Sequence, residues 1–255
     1  MAGAQNPFVW YELMTADAMA AKAFYSHVVG WTMQDMSMPS MTYTLLHAGE
    51  TQIGGLMAIP ADACAAGMVS CWASYIAVDD VDSAAAKAKR LGGNILKPPA
   101  DIPNVGRFAV VSDPQGAFFN LFKPNQAGQR VVSNKPGHIG WHELHTSDWP
   151  KAWDFYSEMF GWLKGDSMSI GPSDTYQLFT INDVPAGGMF DSPGSRAARF
   201  WLYYIRVGDI DAAAMRITEK GGDITQGPLE VPGDSWVVQA IDPQGAAFAL
   251  VGTKN

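Results

Sequence analysis

Apolar and polar residues alternate through YELMT (11–15). The chain then passes an Asp-containing turn, an Ala-rich stretch with helical spacing, and a glycine at Gly30. Alternation of this kind predicts a strand, because successive side chains point to opposite faces. Asp17 suits the helix N-cap, where a side-chain oxygen accepts an orphan N–H, and Gly30 suits the left-handed stop. TYTLLHA (42–48) and TQIGGLM (51–57) follow as short β-type stretches. The same plan restarts at SYIAVDDVDSAAAKAKRLGG (74–93), then RFAVVSD (107–113) and AFFNLF (117–122). The unit is βαβββ.

The whole plan then repeats. AFYSHVVGW (23–31) returns as DFYSEMFGW (154–162), and QIGGLM (52–57) as PAGGMF (185–190). VDDVDSAAAKAKRLGGNI (78–95) returns as VGDIDAAAMRITEKGGDI (207–224), and SDPQGAFFNLF (112–122) as IDPQGAAFALV (241–251). A duplicated domain is expected, at 7–124 and 138–252, with 125–137 as linker. Each half should hold two βαβββ modules. The expected class is α+β, with curved, mostly antiparallel sheets and helices on the outer face. The two halves should pair as a pseudo-dimer within one chain, giving a monomer or a weak homo-oligomer.

Composition narrows the partners. With 17 basic and 25 acidic residues the net charge is −8, which disfavours nucleic acid and anionic membranes. No apolar run is long enough to span a bilayer. No secretory signal opens the chain, and Cys64 and Cys71 are the only cysteines, so free thiols in the cytoplasm are expected.

His138, His142 and His145 invite a metal reading. On a strand, however, His142 points with Gly140 and Leu144, and His145 with Trp141 and Glu143. The matching residues in the first copy are Pro7, Tyr11 and Met14, none a good ligand. No metal triad is expected. The other face is richer: Trp10, Glu12 and Met14 in one copy, Trp141, Glu143 and His145 in the other. A glutamate between apolar neighbours needs a partner, either a structural cation or a ligand. In an apolar setting it also suits acid–base work.

The paired βαβββ modules, the FY (24–25, 155–156) and GW (30–31, 161–162) pairs, and the closing DPQGA strands resemble the vicinal oxygen chelate superfamily of glyoxalases, bleomycin-resistance proteins and extradiol dioxygenases. The resemblance spans nearly the whole chain. It implies four metal-ligand positions per site, on the first, fourth, fifth and eighth strands. Here the first falls on Trp10 and Trp141, and the fourth within GGLM (54–57) and GGMF (187–190). The fifth falls near Ala73 and Leu202, and the eighth on Asn120 and Ala249. These residues do not make a hard-cation site, so no metal and no cofactor are expected. Glu12 and Glu143 are then the candidate catalytic groups. Trp10, Trp141, His145, Asn120, Arg107 and Trp236 are the candidate ligand contacts. Arg107 could meet a substrate anion, pair with Glu143, or simply end a strand in solvent. Three functions follow: a metal-independent binder of a small organic ligand; an enzyme of lyase, isomerase or oxygenase type using the two glutamates or unusual ligands; or an interaction protein that has lost its site.

Overall fold

The computed structural model describes residues 5–38, 41–126, 134–171, 174–192 and 199–254. Linker residues 127–133 lie outside the described residues. The first module runs β1 (Phe8–Thr15), α1 (Ala18–Val28), β2 (Thr32–Met38), β3 (Met41–Ala48) and β4 (Thr51–Ala58). A short α2 (Ala61–Ala65) precedes the second module: β5 (Cys71–Ala77), α3 (Val81–Arg90), β6 (Asn94–Ile102), β7 (Gly106–Ser112) and β8 (Phe118–Pro124). The third is β9 (Ile139–Thr146), α4 (Trp149–Phe160), β10 (Leu163–Ser169), β11 (Thr175–Ile181) and β12 (Val184–Asp191). The fourth is β13 (Phe200–Asp209), α5 (Ile210–Glu219), β14 (Asp223–Val231), β15 (Ser235–Ile241) and β16 (Ala247–Thr253). This is the βαβββ plan read from the pattern.

Capping explains where the helices start and stop. Asp17 accepts the N–H of Ala20 at 3.0 Å and Asp148 that of Lys151 at 3.1 Å. Gly161 ends α4 with φ 68°, in the left-handed region that glycine enters at little cost.

Two eight-stranded sheets form, one per half. Their orders are β2-β3-β4-β1-β5-β8-β7-β6 and β10-β11-β12-β9-β13-β16-β15-β14. Within each module the first and last strands run parallel, as in Glu12 opposite Gly55 and Glu143 opposite Gly188. The other pairs, such as β2–β3 and β3–β4, are antiparallel. No helix among the described residues is long and apolar enough to cross a membrane.

The chain divides into two compact units that pair modules across the duplication. Unit 1 comprises Met1–Val9, Ser74–Val131 and Trp141–Trp201; unit 2 comprises Trp10–Ala73, Val132–Gly140 and Leu202–Asn255. Unit 1 thus takes the two inner modules and unit 2 the two outer ones.

Each unit is centred on an aromatic core that holds a buried aspartate. In unit 2 the Trp72 indole donates to the Tyr25 hydroxyl at 2.9 Å, and Tyr25 donates to Asp242 at 3.1 Å. In unit 1 Trp201 donates to Tyr156 at 3.0 Å and Tyr156 to Asp113 at 3.1 Å. The other oxygen of Asp113 accepts the N–H groups of Gln115, Gly116 and Ala117, all within 3.0 Å. The repeated FY, W and DPQG motifs are therefore one network, closed between modules far apart in sequence. Burial raises the pKa of both aspartates above the ordinary carboxylate value.

Candidate functional site

Alternation along β1 puts Trp10 and Glu12 on one face, and Glu12 lies opposite Gly55 of β4. The missing side chain at Gly55 matters, because a Cβ there would overlap the Tyr43 hydroxyl arriving from β3. Tyr43 uses that space to donate to Glu12 Oε2 at 2.9 Å, while its oxygen accepts the Trp10 indole N–H at 3.0 Å. The neighbouring Gly54 leaves room for the carbonyl of Tyr11 on the parallel strand. The GG pair is thus what lets a Trp–Tyr–Glu chain cross three strands.

Unit 1 repeats the device. Gly188 clears the ring of Tyr176, which donates to Glu143 Oε2 at 2.9 Å and accepts from Trp141 at 2.7 Å. Here the chain continues. His145 Nε2 lies 3.0 Å from Glu143 Oε1, and its Nδ1 lies 2.9 Å from Ser192 Oγ. A carboxylate can only accept, so when the imidazole is neutral its hydrogen sits on Nε2, and Ser192 O–H then donates to Nδ1. The ring stacks on Phe200 with centroids 4.5 Å apart, and Phe190 meets it edge-on. The side chains of His145 and Glu143 are 14% and 8% exposed, so this polar chain is largely withdrawn from water.

Both glutamates are buried, as alternation suggested, and each is met by a tyrosine hydroxyl, with an imidazole beside Glu143 as well. Burial and the Glu12 charge raise the Tyr43 pKa, so it remains a hydrogen-bond donor. Burial, reinforced by Glu12, pushes the Cys71 thiol up to about 11.

The remaining candidates scatter. Arg107 is engaged by Asp82 at 2.7 and 2.9 Å and by Asp101 at 2.9 Å, so the structure replaces the pairing with Glu143 by a surface cluster. Asn120 is buried in unit 1, its amide donating to the Ser74 carbonyl at 3.2 Å. Trp236, in unit 2, lies under the Lys254 ammonium at 4.5 Å. The three histidines have separate partners. His138 Nδ1 approaches the Pro136 carbonyl, while His142 donates to the Ala186 carbonyl and stacks on Phe8. Among the described residues, no group of three or more His, Cys, Asp or Glu side chains gathers as a metal site.

Tyr43, Tyr176 and Ser192 were not read from the sequence. A signal for the tyrosines existed: TY at 42–43 returns as TY at 175–176, with the same spacing that separates the two GG pairs. Ser192 had none, since its twin position is Ile59. The equivalence is visible only in the backbone, where Ser192 N–H meets the Thr146 carbonyl and Ile59 N–H meets that of Thr15.

Comparison with known proteins follows the duplication. Residues 8–121 and 135–250 match the family model described as Glyoxalase/Bleomycin resistance protein/Dioxygenase superfamily. A Mycobacterium bovis protein called "Putative glyoxylase CFP32" is 32% identical over 244 residues, covering 95% of this chain and 93% of the relative. "Anthracycline biosynthesis protein DauV" of Streptomyces sp. is 29% identical over 254 residues, covering 95% and 91%. The solved 2,3-dioxygenase LapB from Pseudomonas sp. KL28 has the same fold, with TM-score 0.68, 11% identity, and coverage of 100% of this chain and 94% of that one. The Mn(II)-bound glyoxalase from Novosphingobium aromaticivorans superposes with TM-score 0.65 at 17% identity, over 98% and 82%.

Proposed function

The chain belongs to the Glyoxalase/Bleomycin resistance protein/Dioxygenase superfamily, and from that membership we propose that it binds a small organic molecule through its two Trp–Tyr–Glu chains, without a metal of the family type. One observation carries the reading. The duplication keeps a buried carboxylate, a tyrosine hydroxyl and an indole in the same hydrogen-bonded order in both units, with a glycine reserved for the tyrosine. Burying such a chain costs desolvation at every member, and an all-apolar strand face would hold the fold without it. A ligand that offers hydroxyl or amide donors to the carboxylate gives the arrangement a use.

The donor chemistry supports the second half of the proposal. The positions where the family carries ligands hold indoles that donate to tyrosine, buried Ala73, Leu202 and Ala249, and an Asn120 amide turned to a backbone carbonyl. Indole and alkyl groups do not ligate zinc, manganese or iron(II). A relative named for anthracycline biosynthesis agrees with a flat, oxygenated aromatic ligand, for which Trp10 and Trp141 supply walls. We take residues 7–124 and 138–252 as the two domains, and the free thiols Cys64 and Cys71 suit the cytoplasm.

Native mass spectrometry with elemental analysis of the full chain tests the reading. The wild type should carry an organic mass that the Glu12→Gln/Glu143→Gln double variant loses. An unchanged organic mass in that variant, or a stoichiometric transition metal in the wild type, would overturn it.

A further inference from the structure

The two Trp–Tyr–Glu chains are alike, but what surrounds them is not. Where unit 1 has His145, Ser192 and Phe200, the twin positions in unit 2 are Met14, Ile59 and Cys71. The backbone is matched at this point, since the N–H of Ser192 and of Ile59 each meets the equivalent Thr carbonyl, at 2.8 and 3.0 Å. Unit 2 is thus an internal control. It shows that the fold packs this corner with a thioether and an alkyl chain, so nothing in folding requires imidazole and hydroxyl there.

We propose that unit 1 is a proton-accepting site for a phenolic or enolic ligand, with Ser192 as the contact, His145 as the proton store and Glu143 as its counter-charge, and that unit 2 binds without proton transfer. This rests on the binding role of the Glu chains and assigns a ligand class to one of them. The geometry gives the direction. With the imidazole neutral and its hydrogen on Nε2 facing Glu143, Ser192 O–H donates to Nδ1 of His145. Ser192 is the half-buried end of the chain, and Glu143 the buried end. When a ligand hydroxyl donates to Ser192 Oγ, its O–H bond breaks and the electron pair stays on the ligand oxygen. Ser192 receives that proton and passes its own to Nδ1. The imidazolium so formed lies against the Glu143 carboxylate, which Tyr176 already orients, and net charge is conserved. Among the described residues, the groups facing the ring are Glu143 on its own strand, Ser192 after β12, and the uncharged rings of Phe190 and Phe200. Asp191, next to Ser192, is turned away to cap the Trp149 N–H at 2.6 Å. Ser192 and His145 hold and move the proton; Glu143 acts through His145 and is a positioning residue for this step.

4-Nitrophenol is the probe, because its anion absorbs visibly, and 4-nitroanisole is the control, because its methyl ether has no proton to give. Both are titrated into the full chain at a pH just below the pKa of free nitrophenol. The wild type should show about one bound phenolate per chain. His145→Met and Ser192→Ile, each installing the residue of unit 2, should remove the phenolate band and weaken nitrophenol binding at least tenfold more than nitroanisole binding. Met14→His/Ile59→Ser should add a second phenolate. A structural role for His145 would weaken both probes together and would overturn the proposal, as would a phenolate band that survives His145→Met or a wild type that binds no nitrophenol. Nitroanisole binding that persists while the band is absent from the wild type would refute proton transfer alone and leave the binding role of the Glu chains standing.

Discussion

Glu143→Gln is the most informative single perturbation, because its stability cost can be worked from the structure and compared with that of its twin. Glu143 accepts hydrogen bonds from Tyr176 at 2.9 Å and His145 at 3.0 Å. A hydrogen bond to a buried charged group contributes roughly 1.5–3 kcal/mol, against about 1 kcal/mol for a neutral one. Replacing carboxylate by amide should therefore cost about 1 kcal/mol for each bond. It also turns one carboxylate oxygen into an NH₂ group, which faces either the tyrosine O–H or the imidazole N–H. The total for Glu143→Gln is about 2 kcal/mol. At Glu12 the tyrosine bond has the same 2.9 Å length, but Met14 stands where His145 would, so Glu12→Gln should cost about 1 kcal/mol. For a chain of this size each kcal/mol moves the melting temperature by roughly 2–4 °C. Thermal melts should place Glu143→Gln about 4–8 °C below wild type and Glu12→Gln about 2–4 °C below. A drop at Glu12 equal to or larger than that at Glu143 would refute the assignment of His145 as the extra partner. A drop well beyond 10 °C at either site would mean that a buried cation has been stranded, and the structural reading of the glutamates would win.

Other expected outcomes follow from the same geometry. Gly188→Ala should push the Tyr176 ring off its place and uncouple it from Glu143, lowering ligand affinity at least tenfold, as read by calorimetric titration; unchanged affinity would show that the tyrosine is not needed. Arg107→Ala should cost less than about 1 kcal/mol in urea unfolding and leave binding intact, because its carboxylate partners are solvent-exposed; a loss of binding would return it to the site. Asp113 and Asp242 have folded pKa values raised by burial, so the stability they add is complete below the unfolded value near 3.9 and is lost as pH rises through the folded value. Asp113→Asn should therefore compare better with wild type at neutral pH than near pH 4, and melting temperatures that differ equally at both would refute the sign.

Legibility in the sequence followed the range of the interaction. The βαβββ plan, the caps at Asp17 and Asp148 and the shared face of Trp10 and Glu12 depend on residues a few positions apart, where period and turn chemistry suffice. The separation of His142 from His145 is of the same kind. Tyr43 and Tyr176 escaped because their role depends on strand neighbours, and only the register of β3, β4 and β1 brings hydroxyl to carboxylate. The Tyr25–Asp242 and Tyr156–Asp113 bonds escaped for a stronger reason. They join a helix in one module to a turn in another, and pairing of modules across the duplication has no local signature. Arg107 ends a strand beside several acidic groups, and its pairing with Asp82 and Asp101 is set by tertiary neighbours that no local pattern specifies.

The duplication also separates what the fold needs from what a site needs. Trp, Tyr, Glu and Gly recur at matched positions in both units, and so do Trp, Tyr and Asp of the core network. Copies drift wherever packing alone is at stake, as at Phe190 against Met57 or Phe200 against Cys71, where one apolar or weakly polar group replaces another. The change from Met14 to His145 and from Ile59 to Ser192 is of another kind, because each substitution buries a polar group that must find a partner, and the two find each other. Either change alone would strand a donor or an acceptor in an apolar corner. Together they turn a carboxylate with a fixed partner into a chain along which a proton can move. Unit 2 has no counterpart, for the nearby Cys71 thiol is held protonated by burial and by the charge of Glu12 itself. The Glu12 charge thus disfavours ionisation of the thiol in unit 2, while in unit 1 the equivalent carboxylate faces an imidazole at hydrogen-bonding distance, so the same buried group meets two different chemistries.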